Sequence, residues 1–184
     1  MQLWFSTYYA FEMSTLYQEF ESLVYVVCDQ SSSMQMRQQA ERRLCEIHND
    51  DNSWDVLLSF LSVKDDNLLF FIGQGLSGIA WRKFNKFNSH QQETFVEAIT
   101  STLTQRGDMS PFARSKIEQV LAAICASTCS LLPLLSIVVE LNQPGFEVGL
   151  SAMRTVMEEV LKDNPRVPPD HHLTLLQKAA EVSE

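Results

Sequence analysis

Basic side chains are scarce in this sequence: 14 lysines and arginines stand against 23 aspartates and glutamates, a formal net charge of -9. Nucleic acid and anionic membrane surfaces both call for excess positive charge, so the balance weighs against them. It suits a basic protein partner or plain acidic solubility. No uninterrupted apolar run approaches the roughly 18–20 residues that span a bilayer. The apolar start, Met1 to Phe11, has no basic flank, and Glu12 interrupts it before a secretory core could form. The expectation is a soluble intracellular chain with no membrane insertion. Cys28, Cys45, Cys125 and Cys129 form neither C-x-x-C nor a zinc spacing. All four stand in apolar, helix-like context and are expected to be buried free thiols. Cys125 and Cys129 are one turn apart, but no histidine adjoins them to complete a metal site. There is no G-x-S-x-G, and His171 and His172 have no second acid–base group placed nearby. Nothing forms a catalytic constellation, so no enzyme activity and no cofactor are expected.

What the sequence does hold is helical period. With 184 residues, 45% of them hydrophobic, the chain can bury a substantial core. Ser14 can cap a helix through Leu16, Phe20, Leu23, Val24 and Val27. After a polar break at Asp29 to Ser33, Met36, Ala40, Leu44 and Ile47 make the apolar face of a second helix, which stops at His48 to Asn52. Ser53 can cap a short helix carrying Trp54, Leu57, Leu58 and Leu61. Ser89 can cap Gln91 to Arg106, with Phe95, Ile99 and Leu103 inside and Gly107 as its stop. Ser110 and Pro111 open a helix carrying Phe112, Ile117, Val120, Leu121 and Ile124. Leu131 to Leu141 and Phe146 to Leu161 follow, and a last helix near Asp170 carries Leu173, Leu176 and Ala180.

The stretch Asp66 to Phe84 admits two readings. Gly73, Gly75 and Gly78 spell G-x-G-x-x-G after an apolar Leu68 to Ile72, the fingerprint of a dinucleotide-binding turn and of an NAD-dependent enzyme. Alternatively the stretch is one helix, with Leu68, Ile72, Leu76 and Ile79 as its apolar stripe and Phe70, Gln74, Ser77 and Trp81 on a neighbouring face. The flanking segments are helical in period and favour the second reading. Phe71 over Gly75 and Gly78 would then receive a neighbouring repeat. Paired antiparallel, the helices begin near Met13, Ser53, Ser89, Ser130 and Pro169. A period of about 40 residues with two helices per unit marks HEAT-type repeats. The predicted fold is all-α: an α-α superhelix of HEAT/armadillo-like solenoid type, about four and a half helix pairs over 13–184 with 1–12 unplaced. Because the fifth unit has only its first helix, the expectation is a fragment of a longer solenoid.

Ala40-Glu41-Arg42-Arg43-Leu44, the short Trp54 helix and a long helix ending Ile79-Ala80-Trp81-Arg82-Lys83-Phe84 resemble the N-terminal region of the karyopherin-β (importin-β/exportin) superfamily. Ser110 to Ile117 resembles the Phe-x-Arg-x-Lys-Leu helix of exportins, and Met157-Glu158-Glu159-Val160-Leu161 is similar to the end of the next such helix. Order and spacing look closest to the exportin-6 type, the exporter of actin–profilin. Leu132-Pro133 stands where the family places Trp-Pro, a few residues later than usual. The resemblance implies a nuclear transport receptor shuttling between nucleus and cytoplasm. Its partners would be a Ran-type small GTPase in the GTP form on the inner helices, nucleoporins on the outer helices, and protein cargo. A generic HEAT-repeat interaction scaffold is the alternative. On the receptor reading Gln74, Ser77, Arg114 and Glu118 could face the GTPase. Arg82, Lys83 and Lys86, beside Trp81, could meet an acidic partner face or simply complement the helix dipole.

Overall fold

The computed structural model describes residues 2–50, 52–131, 133, 151–158 and 167–182, and among them every regular element is helical. Side chains are described from Thr15 onward, except those of 172 and 179–182. The elements are α1 (Gln2–Cys28), α2 (Met34–Asn49), α3 (Ser53–Ser59) with a 3-10 turn at Phe60–Ser62, α4 (Asp66–Lys83) with a 3-10 turn at Phe84–Lys86, α5 (Ser89–Gln105), α6 (Pro111–Thr128) and α7 (Pro169–Val182). Residues 151–158 are also helical.

Boundaries follow from side chains that replace missing helical partners. Ser33 Oγ accepts the N–H of Met36 to start α2. Asp65 accepts from Asn67 and Leu68 to start α4. Asn88 and Gln91 exchange side-chain and backbone bonds in a capping box at the head of α5. α6 has proline in its first turn and ends with Cys129 in the left-handed conformation at φ 51°. Ser110 begins α6 without a side-chain cap; its backbone N–H instead donates to Asp66 Oδ2.

The helices form two layers. α2, α4 and α6 lie side by side, and α1, α3 and α5 each pack on the following member of that layer. Side-chain bonds fix the directions. Arg82, ending α4, reaches the carbonyl of His48, ending α2. Asn85 beyond α4 reaches the carbonyl of Ser127, ending α6. Arg106 beyond α5 reaches the carbonyls of Leu61 and Val63 beyond α3. Neighbours within a layer therefore run parallel, and pair mates run antiparallel. The last three ties, with Ser110 to Asp66, join residues 42, 45, 43 and 44 apart. These separations match one repeat of a HEAT-type solenoid.

The core runs along the seam between layers. Leu68, Ile72, Leu76 and Ile79 of α4 are at most 1% exposed, as are Phe95, Ile99 and Leu103 of α5. On α6 every residue from Val120 to Ala126 is buried, so the second half of this helix is apolar on all sides. Its alanines and Gly73 of α4 let α4 and α6 approach closely. A Cβ on Gly73 would lie 3.0 Å from Lys116 Cβ.

Several expectations are corrected. α1 starts at Gln2, so Ser14 lies inside it rather than at its N-cap, and most of the supposedly unplaced 1–12 is helix. Asn52 and Asn88 occupy the N-cap positions assigned to Ser53 and Ser89. Gly107 keeps a negative φ, and Arg106 is the C-cap of α5. His48 belongs to α2 and is buried. Met36, Phe112 and Leu173, assigned to apolar faces, are 53%, 47% and 68% exposed, and Leu175 is the buried leucine of α7. Cys28 and Cys45 are exposed, Cys129 is half-buried, and only Cys125 is buried. Of the expected helix over 131–141 only Leu131 and Pro133 are among the described residues; the stretches 134–150 and 159–166, including Val148 and Val160, lie outside them.

Candidate binding face

The three glycines lie in the interior of α4, with no strand before them among the described residues. None has a positive φ. The dinucleotide turn is therefore overturned: a phosphate cradle needs free backbone N–H groups at a strand-to-helix turn, and here those groups are bonded within a helix. Phe71, Gly75 and Gly78 lie along one side of α4 by their helical spacing. Gly75 faces α2 and α3, where an added Cβ would meet His48 Cδ2 at 2.5 Å and Leu57 Cδ1 at 3.0 Å. Gly78 faces only the guanidinium of Arg82.

The polar residues singled out in the sequence do not converge. Gln74 is exposed, while Ser77 and Trp81 are half-buried further along α4. Trp81 also packs on the core. Arg82 donates to the His48 carbonyl at 2.7 Å, so its head group is committed to the α2–α4 junction. Lys83 is half-buried, and Lys86 is exposed on the 3-10 turn that follows. Arg114 sits at the other end of the layer, in the first turn of α6, and its Nη2 donates to the Arg106 carbonyl at 3.4 Å. A helix of this length spans about 27 Å, so Arg114 and the Arg82–Lys86 group are separate features. Glu118 is only 3% exposed. Its Oε2 accepts from Thr155 Oγ1 at 3.0 Å and its Oε1 is buried without a partner. It is thus removed from the surface on which it was expected to face a partner.

Two features escaped the sequence reading. His48 is buried beneath Gly75, beside the ring of Phe20 at 6.0 Å between centroids. Burial, reinforced by the adjacent Arg82 guanidinium, pushes its imidazole down to about 4. Its position four residues after Leu44 was the available signal. The second is a pair of phenyl rings at the start of α4 and α6. Phe70 and Phe112 lie 5.9 Å apart, with Lys116 Nζ 5.1 Å from the Phe70 ring centre. The four-residue spacing of Phe112 and Lys116 was visible, but the apposition to Phe70 needed the α4–α6 packing.

Among the described residues no group of three His, Cys, Asp or Glu is placed to hold a metal ion, and no helix is long and apolar enough to cross a membrane. His171 Nδ1 lies 2.9 Å from the Ala126 carbonyl and Lys178 Nζ 2.6 Å from that of Cys129, so both tie α7 to the end of α6. No family model and no curated protein matches the chain.

Proposed function

We propose that the chain is the N-terminal helical-repeat region of an exportin-like nuclear transport receptor. It is a binding module without chemistry of its own, which grips a Ran-type GTPase in its GTP form and takes part in protein export from the nucleus. Recognition rests on shape and charge presented by a stacked helix layer. The carrying observation is that the family-like segments lie on neighbouring helices of one layer, at its opposite ends. Trp81-Arg82-Lys83 ends α4, and Phe112-x-Arg114-x-Lys116 opens α6, the next helix of the same layer. The receptor would shuttle between nucleus and cytoplasm, with nucleoporins and a protein cargo such as actin–profilin as further partners. The test is capture of purified Ran loaded with GTP or with GDP on the immobilised chain. Selective capture of the GTP form is expected; equal capture of both forms, or of neither, overturns the reading.

A general helical-repeat scaffold for another protein is the second reading. It is favoured by one observation: Arg82, Arg114 and Glu118 each turn a polar atom to a contact within the chain. On that reading the GTPase is not captured and a different protein partner occupies the same layer.

A further inference from the structure

The pad formed by Phe70 and Phe112 has no structural task that requires its exposure. Phe112 is 47% exposed, although it opens a helix that is buried from Val120 to Ala126. Phe70 is half-buried, and Phe71 packs on it edge-on at 5.4 Å. Two rings held side by side at the start of neighbouring parallel helices make a shallow apolar surface, rigid because both backbones are helical. Lys116 leans across it. Its ammonium is 5.1 Å from the Phe70 ring centre and donates to Gln119 Oε1 at 3.0 Å. Among the described residues its partners are thus a ring and a neutral amide, in a chain whose formal net charge is -9. An ammonium not neutralised by a carboxylate, beside exposed rings, marks where an anionic group can be received next to an apolar one. Exposed Gln74, one turn beyond Phe70, adds a second side-chain amide able to bond an extended backbone.

We propose that this pad is a docking site for a protein segment that presents a bulky apolar side chain next to a carboxylate. The apolar side chain lies across Phe70 and Phe112, the carboxylate pairs with Lys116, and the amides of Gln74 and Gln119 hold the segment's backbone. The proposal rests on the reading of the chain as a protein-binding module and names a site and a ligand chemistry for it. The site is distinct from the basic Arg82–Lys86 end of α4.

Fluorescence polarisation on the full chain tests it, with labelled peptides carrying Phe-Glu-Phe-Glu or Phe-Lys-Phe-Lys between identical glycine–serine flanks. The acidic peptide is expected to bind at least tenfold more tightly than the basic one. Lys116→Glu should reverse that preference, and Phe112→Ser should weaken both peptides at least tenfold. Gln74→Glu, at an exposed position where folding is not at stake, should weaken the acidic peptide alone. Equal binding of the two peptides, no binding of either, or indifference to Gln74→Glu and Lys116→Glu would overturn the site. GTP-dependent capture of Ran on the same preparation separates the two readings. Capture without peptide binding removes the pad and leaves the receptor; peptide binding without capture does the reverse.

Discussion

Asp66 Oδ2 accepts the backbone N–H of Ser110 at 3.1 Å, so the first turn of α4 caps the first turn of α6. One carboxylate serves two repeats, complementing the N-terminal dipole of its own helix while satisfying a donor of the next. Asp66→Ala is expected to cost about 1–2 kcal/mol, lowering the melting temperature by roughly 3–6 °C in a chain of this size. Asp66→Asn, which keeps an acceptor, should lose less than half of that. Differential scanning fluorimetry on the three proteins checks the order.

Arg106 makes the corresponding tie in the other layer. Its Nη1 reaches Val63 at 2.5 Å and Leu61 at 3.3 Å, carbonyls left open where the 3-10 turn ends. Arg106→Ala should destabilise by about 2–3 kcal/mol, the range for charged donors to buried acceptors. Asp108 is 76% exposed and stands 3.8 Å from Arg106. Such a pair contributes little, so Asp108→Ala should shift stability by no more than about 0.5 kcal/mol. A urea midpoint that moves equally for both variants would contradict the assignment of the stability to the carbonyl bonds.

The glycines of α4 predict a graded series. At Gly75 a methyl group would meet His48 Cδ2 at 2.5 Å and Leu57 Cδ1 at 3.0 Å. Gly75→Ala should therefore cost about 1–3 kcal/mol through overpacking. At Gly73 the closest atoms are Lys116 Cβ at 3.0 Å, Ile117 Cδ1 at 3.1 Å and the Lys116 carbonyl carbon at 3.3 Å. Gly73→Ala requires a small shift of α6 and should cost less. At Gly78 the nearest atom is Arg82 Nη1 at 3.0 Å, the end of a flexible side chain. Gly78→Ala should gain up to about 1 kcal/mol from helix propensity. Melting temperatures in the order Gly78→Ala, wild type, Gly73→Ala, Gly75→Ala are expected. None of the three should change the fluorescence of added NADH.

Acid should loosen the α2–α4 junction. His48 is pushed down to about 4, first by burial and then by Arg82, whereas an unfolded histidine titrates near 6.5. Between those values the unfolded chain takes up a proton that the folded chain refuses. Stability is then fully present above about pH 6.5 and falls as the pH drops toward 4, by up to about 3 kcal/mol from this residue. Urea unfolding at pH 7.5, 6 and 5 should show a steeper decline for the wild type than for His48→Asn. Parallel curves would remove His48 as the source.

The helical fold was legible because its cause is periodic. Leu68, Ile72, Leu76 and Ile79 repeat at helical spacing, and all four lie in the core. The same holds for Phe95, Ile99 and Leu103. Period alone does not say which apolar side chains a neighbour will cover, which is why Met36, Phe112 and Leu173 were misassigned. Capping by Asn88 could have been read from Gln91 three residues on, whose side chain returns the bond; adjacent Ser89 is an equally good capping residue and hid it. The candidate binding residues were the least legible part. Arg82, Arg114 and Glu118 look free in sequence, but their partners His48, Arg106 and Thr155 lie 34, 8 and 37 residues away. Only the packing of α4 and α6 brings Phe70 to Phe112.

The thiols supply the molecule with a chemical clock. Cys28 and Cys45 stand in the open, while Cys125 lies at 0% exposure near the end of α6. A maleimide reagent will consume the outer pair first in the native protein. It will reach Cys125 only at the moments when α6 parts from its neighbours. The slow phase of labelling, followed residue by residue with mass spectrometry, therefore counts openings of the stack without any engineered probe.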